Sequence, residues 1–150
     1  MKPCVPSALA LLLAAGGPAR AGEPDLIGRL KQAGASVSCY GMYGETDAVR
    51  VFFGGVPAGD ADLGQLCELR HLRSLALHDA GLTDARSRVV GGLTQLRDLS
   101  LANNPGVTDA GLRSLAGLKG LHEVNLHGTG VTAEGAAWLR QALPGCVVFR

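Results

Sequence analysis

Three stretches of the chain share one phrasing: LRSLALHDAGLTDAR (residues 72–86), LRDLSLANNPGVTDAG (96–111) and LHEVNLHGTGVTAEG (121–135). Leu72, Leu75 and Leu77 lead to Ala80 and Leu82; Leu96, Leu99 and Leu101 lead to Asn104 and Val107; Leu121, Val124 and Leu126 lead to Thr129 and Val131. A weaker copy, Ala48, Val51, Phe53 and Val56, stands ahead of them, so the first apolar positions lie 24, 24 and 25 residues apart. Within each copy two periods follow one another. Apolar and polar residues alternate over the second half of LRSLAL, LRDLSL and LHEVNL, the period of a short strand. After a turn, Leu112, Leu115 and Leu118 recur every three residues, as do Leu63, Leu66 and Leu69, and then Ala136, Leu139 and Ala142. That spacing lays one apolar stripe along a helix. Thr83, Thr108 and Thr132 are placed to accept an unpaired amide N–H at the helix starts, and Asp84, Asp109 and Glu134 add negative charge to the first turns. The second copy departs, because Arg86 and Ser87 hold the slots of Gly111 and Leu112. An irregular or partly exposed segment is expected there.

A strand–turn–helix unit this small cannot bury its apolar side alone. Stacked copies can, because each supplies the wall for the next, with strands side by side in parallel and helices on the other face. Asn104 is positioned to cap backbone groups of its turn, whereas Ala80 and Thr129 hold the equivalent slots, so a ladder of asparagines is incomplete. The open ends of a stack need covers. DLIGRLKQAG (25–34) reads as an amphipathic helix with Leu26, Ile27 and Leu30 on one face, and SVSCY (36–40) as an added antiparallel strand, followed by a turn at GETD (44–47). LPGCVVF (143–149) reads as a last short strand after a proline stop.

The run VTDAGLRSLAGLKGLHEVNLHGTGVT (107–132) is similar to the repeats of short exported bacterial leucine-rich-repeat proteins. It also resembles the ribonuclease-inhibitor and cysteine-containing repeat classes, the latter found in substrate-recognition arms of ubiquitin ligases. The likeness covers about residues 48–149, and LPGC (143–146) resembles the terminal repeat of the bacterial group. It implies an α/β right-handed solenoid with a parallel sheet on its concave face, helices on its convex face, and an N-terminal helix-plus-strand cap. It also implies ligand binding through the concave sheet, and no catalytic residues. The expected organisation is a leader at 1–21, a cap at 22–47, about four repeats at 48–142 and a capping strand at 143–150.

The leader rests on Lys2, the apolar run ALALLLAA (8–15) and the small-x-small pattern at Ala19 and Ala21. That apolar run is far shorter than the roughly 20 residues that span a bilayer, so no stable membrane span is expected. Export to a periplasm or medium follows, and the absence of an F-box segment ahead of the repeats points away from a cytosolic ligase role. Losing Lys2 and Arg20 with the leader takes the formal charge from +1 to −1. Such a chain offers no electrostatic footprint to a polyanion, and nucleic acid is not an expected partner. Hydrophobic residues make up 47% of the chain and aromatics only 4%, so aliphatic side chains must do the packing. Cys39, Cys67 and Cys146 remain after the leader; an odd number permits at most one internal disulfide, with Cys39–Cys67 open, and their spacings fit no zinc motif. Cys146 reads as a small buried hydrophobe.

Outward strand positions form the candidate surface: Arg50 and Phe52; Ser74 and His78; Asp98 and Ser100; Glu123, Asn125 and His127. His78, Ala102 and His127 share a lane, with the histidines roughly 10 Å apart at the backbone. No third ligand falls in that lane, so no metal or other cofactor is expected. Asp98 and Glu123 are neighbours in another lane, too solvated for their pKa values to be driven apart as in a glycosidase. A Ser100–His127–Asp98 triad can be drawn, without an oxyanion hole. Phe52 is the leading single contact candidate, and Trp138 is expected to pack partly against the C-terminal cap. Three readings follow: a non-catalytic exported module that binds a protein partner, a hydrolase or metal-dependent enzyme using the His and acid residues, and a structural piece of an envelope assembly. Pairing of exposed array edges leaves homodimerisation open.

Overall fold

The computed structural model describes residues 23–40, 48–55 and 59–150. The leader, the GETD turn and Val56 lie outside the described residues. Helix α1 (Glu23–Gln32) leads to strands β1 (Ser36–Tyr40) and β2 (Ala48–Gly54), then α2 (Asp60–Gln65), which tightens into a 3₁₀ turn at Leu66–Glu68. After it come β3 (Leu72–His78), α3 (Asp84–Val90), β4 (Asp98–Ser100) and α4 (Asp109–Leu112), the last running on as 3₁₀ helix Arg113–Gly117. The chain closes with β5 (Glu123–Asn125), α5 (Ala133–Ala142) and β6 (Val147–Phe149). The result is an alternating α/β chain with one six-stranded sheet in sequential order β1 to β6. β1 is antiparallel to β2, as expected of SVSCY, and every later pair is parallel. The sheet is flat rather than curled, so its polar side is a plane where a concave face was expected.

Register explains why the leucines recur. Leu75 pairs with Leu99, Leu99 with Val124, and Val124 with Val148. All four are buried, in one cluster with Leu66, Val90, Leu115 and Leu139 from the helical layer. Aliphatic side chains from both layers thus close one continuous core. The first copy is offset: Val49, not Ala48, stands beside Leu72, and the register shifts between Val49 and Arg50 before the later pairs fall into step.

After each of β2 to β5 the chain turns through a left-handed residue. Gly55, Asp79, Asn103 and Gly128 have φ of 67°, 50°, 59° and 70°. Glycine, asparagine and aspartate are the residue types that reach this region most readily. The first three carry the ladder past the strand ends: Gly55 N–H donates to His78 O (3.0 Å), Asp79 N–H to Ala102 O (3.1 Å) and Asn103 N–H to His127 O (2.8 Å). Asn104 follows, fully buried. Its Oδ1 accepts from the N–H groups of Ala80 (3.1 Å) and Leu82 (2.9 Å) in the preceding turn. Its Nδ2 donates to the carbonyls of Leu77 (2.6 Å), Leu101 (2.9 Å) and Ala102 (3.1 Å).

The helix starts are joined across copies as well as within them. Thr108 and Thr132 cap α4 and α5 as expected, their Oγ1 atoms accepting from Ala110 N–H (3.3 Å) and Gly135 N–H (3.1 Å). Thr83 makes no such bond. Asp84 reaches forward from α3: its carboxylate accepts from Thr108 N–H (2.7 Å), the Thr108 hydroxyl (2.7 Å) and Gly111 N–H (3.0 Å). Asp109 does the same for α5 through Thr132 N–H (2.8 Å) and its hydroxyl (2.7 Å). A Cβ at Gly111 or Gly135 would strike those carboxylates, which is why glycine stands at both positions.

Two local expectations need correction. Helix α3 is regular, with Ser87 buried, because the Ser87 hydroxyl donates to the Thr83 carbonyl (3.1 Å) and so needs no water. In the last helical segment the buried stripe runs from Leu139 to Leu143, leaving Ala142 half-buried. Trp138 is 39% exposed.

Candidate functional site

The polar side of the sheet is built by period-two alternation, and the register turns it into lanes. One lane runs Arg50, Ser74, Asp98, Glu123 and Val147; the next runs Phe52, Ala76, Ser100, Asn125 and Phe149. On the far side of β2, Ser38 and Ser36 extend these lanes into β1. Asp98 and Glu123 are therefore direct neighbours, as read from the sequence. Neither carboxylate makes a hydrogen bond or ion pair with another described residue. Like charges in register on adjacent strands repel one another. Small side chains at Ser74, Ala76 and Ser100 leave an open depression of about 340 Å³ between Arg50 on one side and Asp98 and Glu123 on the other.

Beside the depression a chain of contacts crosses three strands. The Phe52 ring meets the His78 imidazole edge-on, with centroids 5.3 Å apart and planes at 84°. Gly54 makes room for that ring, since a Cβ there would strike it. His78 Nε2 in turn lies 2.7 Å from Ser100 Oγ. The hydroxyl drawn into a triad with His127 thus belongs to His78 instead. His127 is exposed beyond β5, and its N–H donates to Asn125 Oδ1 (2.9 Å), which commits the Asn125 side chain to its own turn. Among the described residues no group of three or more His, Cys, Asp or Glu side chains is placed to hold a metal ion.

Two contributors escaped the sequence reading. Val147 is 56% exposed and Phe149 is 50% exposed, and together they finish both lanes with apolar surface. The alternation in CVVF carried the signal, since Cys146 and Val148 turn inward and the residues after each turn outward. Phe52 is 39% exposed, which leaves it free to touch a partner while pinned by His78.

No family model matches this chain, and none of the curated proteins does.

Cysteine chemistry lies away from this surface. Among the described residues no disulfide joins Cys39, Cys67 and Cys146. The Cys67 thiol donates to the Gly64 carbonyl (2.9 Å). Burial, with a smaller contribution from the Glu123 charge, pushes the Cys146 thiol pKa up, which suits a packing role. Elsewhere, Asp84 is pushed up by partial burial but held below the ordinary value by the hydrogen bonds from Thr108 and Gly111 that outweigh it. Asp109 is lowered chiefly by its bond from the Thr132 hydroxyl and then by that from the Thr132 amide. No helix of the described residues is long and apolar enough to cross a membrane.

Proposed function

We propose that this chain is a short leucine-rich-repeat array, exported from the cell, that binds a protein partner on the polar side of its sheet and performs no chemistry there. The repeat assignment draws support from the 24, 24 and 25-residue recurrence and from left-handed residues after the strands at the same intervals. The observation that carries the binding role is the mixture on that surface: exposed Phe52, Val147 and Phe149 interleaved with Asp98 and Glu123 on an open plane to which β2 to β6 all contribute. Apolar anchors among charged groups are the make-up of a recognition surface. The test is capture from periplasmic and culture extracts with the tagged full chain, beside a triple variant Phe52→Ser, Asp98→Asn, Glu123→Gln. A partner held by the parent and lost by the variant supports this surface; equal capture by both rejects it. Protein sequencing of the secreted or periplasmic form tests export, which requires a start near Gly22.

A hydrolase remains the second reading because of one contact, the 2.7 Å approach of His78 Nε2 to Ser100 Oγ. A serine-directed fluorophosphonate that labels the parent but not Ser100→Ala would favour it; no labelling would remove it.

A further inference from the structure

Resting on that binding role, we propose that the partner presents an extended peptide segment with two apolar side chains six residues apart. A lysine or arginine stands two residues from the apolar side chain that meets β6. The geometry comes from the lanes. Phe52 on β2 and the Val147–Phe149 pair on β6 are separated by four strand spacings, about 19 Å. Asp98 and Glu123 lie between them on β4 and β5, so their midpoint is about 12 Å from β2 and about 7 Å from β6.

A segment crossing the strands along this line advances about 3.3 Å per residue and shows one face at every second residue. Side chains at its first, fifth and seventh positions then reach Phe52, the acidic pair and the β6 patch, all from the same face. A helix fits less well: at 1.5 Å per residue it brings side chains back to one face at about 16.5 and 21 Å, on either side of the required span. Charge decides the middle position. Two carboxylates in register, neither bonded to another described residue, repel one another, and a cation between them relieves that repulsion while entering the depression floored by Ser74, Ala76 and Ser100. The Phe52–His78–Ser100 contacts hold one anchor in place before binding, which lowers the ordering cost.

The experiment uses the full chain and fluorescent peptides of serine and threonine that carry leucine, arginine and leucine at core positions one, five and seven, and the same peptide in reversed order. Anisotropy titrations extend to millimolar peptide. One of the two directions is expected to bind at least roughly ten-fold more tightly than peptides whose leucines are five or seven residues apart, or whose arginine is glutamate. Phe149→Ser is expected to weaken binding roughly ten-fold, and Asp98→Asn with Glu123→Gln about five-fold with a flatter salt dependence. Thermal melts confirm that the variants fold. Equal binding of all spacings, or no binding of either matched peptide, overturns the inference. If the peptides fail while partner capture still depends on Phe52, Asp98 and Glu123, the segment is wrong and the binding surface stands. If that dependence also fails, both fall.

Discussion

Asn104 shows what a single side chain can hold. Fully buried, it satisfies two amide N–H groups and three carbonyls in its own turn and the one before. Asn104→Ala would remove those bonds from buried groups, the Ala102 carbonyl keeping its bond from Asp79 N–H, and a loss of about 3 kcal/mol is expected in urea unfolding. The sequence marked Asn104 as a turn cap because its slot is fixed by the leucine spacing. Its reach into the preceding turn was hidden, since nothing in one copy names its partner in another. The aspartates make a second residue-scale case. Asp84 and Asp109 are held below the ordinary value of 3.8 because their folded-state partners prefer the charged form. A depressed folded pKa contributes stability that is complete above 3.8 and disappears as pH falls through the lower folded values. The urea midpoint is therefore expected to drop below about pH 4, and the drop is expected to be smaller in an Asp84→Ala, Asp109→Ala double variant.

Helix starts set the rules one scale up. Alanine usually favours a helix over glycine by about 1 kcal/mol, yet a Cβ at Gly111 would strike the Asp84 carboxylate. Gly111→Ala is expected to destabilise the parent and to cost less once Asp84 is alanine, because the carboxylate clash goes while the 3.0 Å approach of the Asp84 Cα stays; a double-mutant cycle in urea reads the difference. Strands and helices were legible in the sequence because their two periods are written in leucine. Contacts between elements were less so. Asp84 and Asp109 read as charges on their own helices, when their oxygens serve the next one. Ser87 looked like a break in the apolar stripe because sequence does not show that a serine hydroxyl can be satisfied by the carbonyl four residues back. On the polar surface the lanes were legible from alternation, but Val147 and Phe149 were passed over because a terminal strand was read only as a cover.

At the scale of the molecule, the sheet ends at the short strand β6. On the outer side of β6 the Val148 carbonyl accepts from Arg140 Nη2 (2.8 Å), so this short edge is guarded by a charged side chain. Arg140→Ala is expected to bare that edge and to raise concentration-dependent self-association in sedimentation velocity; an unchanged profile would assign Arg140 a purely local role. The forward reach of the aspartates gives the stack a direction. Asp84 serves α4 and Asp109 serves α5, whereas Ala133 stands where a further aspartate would fall, and among the described residues α5 is followed by strand β6. Growth is thus governed by a grammar of donor and receiver. A designer appending a module after α5 would have to restore an acid at residue 133 and place a glycine in the newcomer. Insertion ahead of α3 would ask for glycine in place of Arg86.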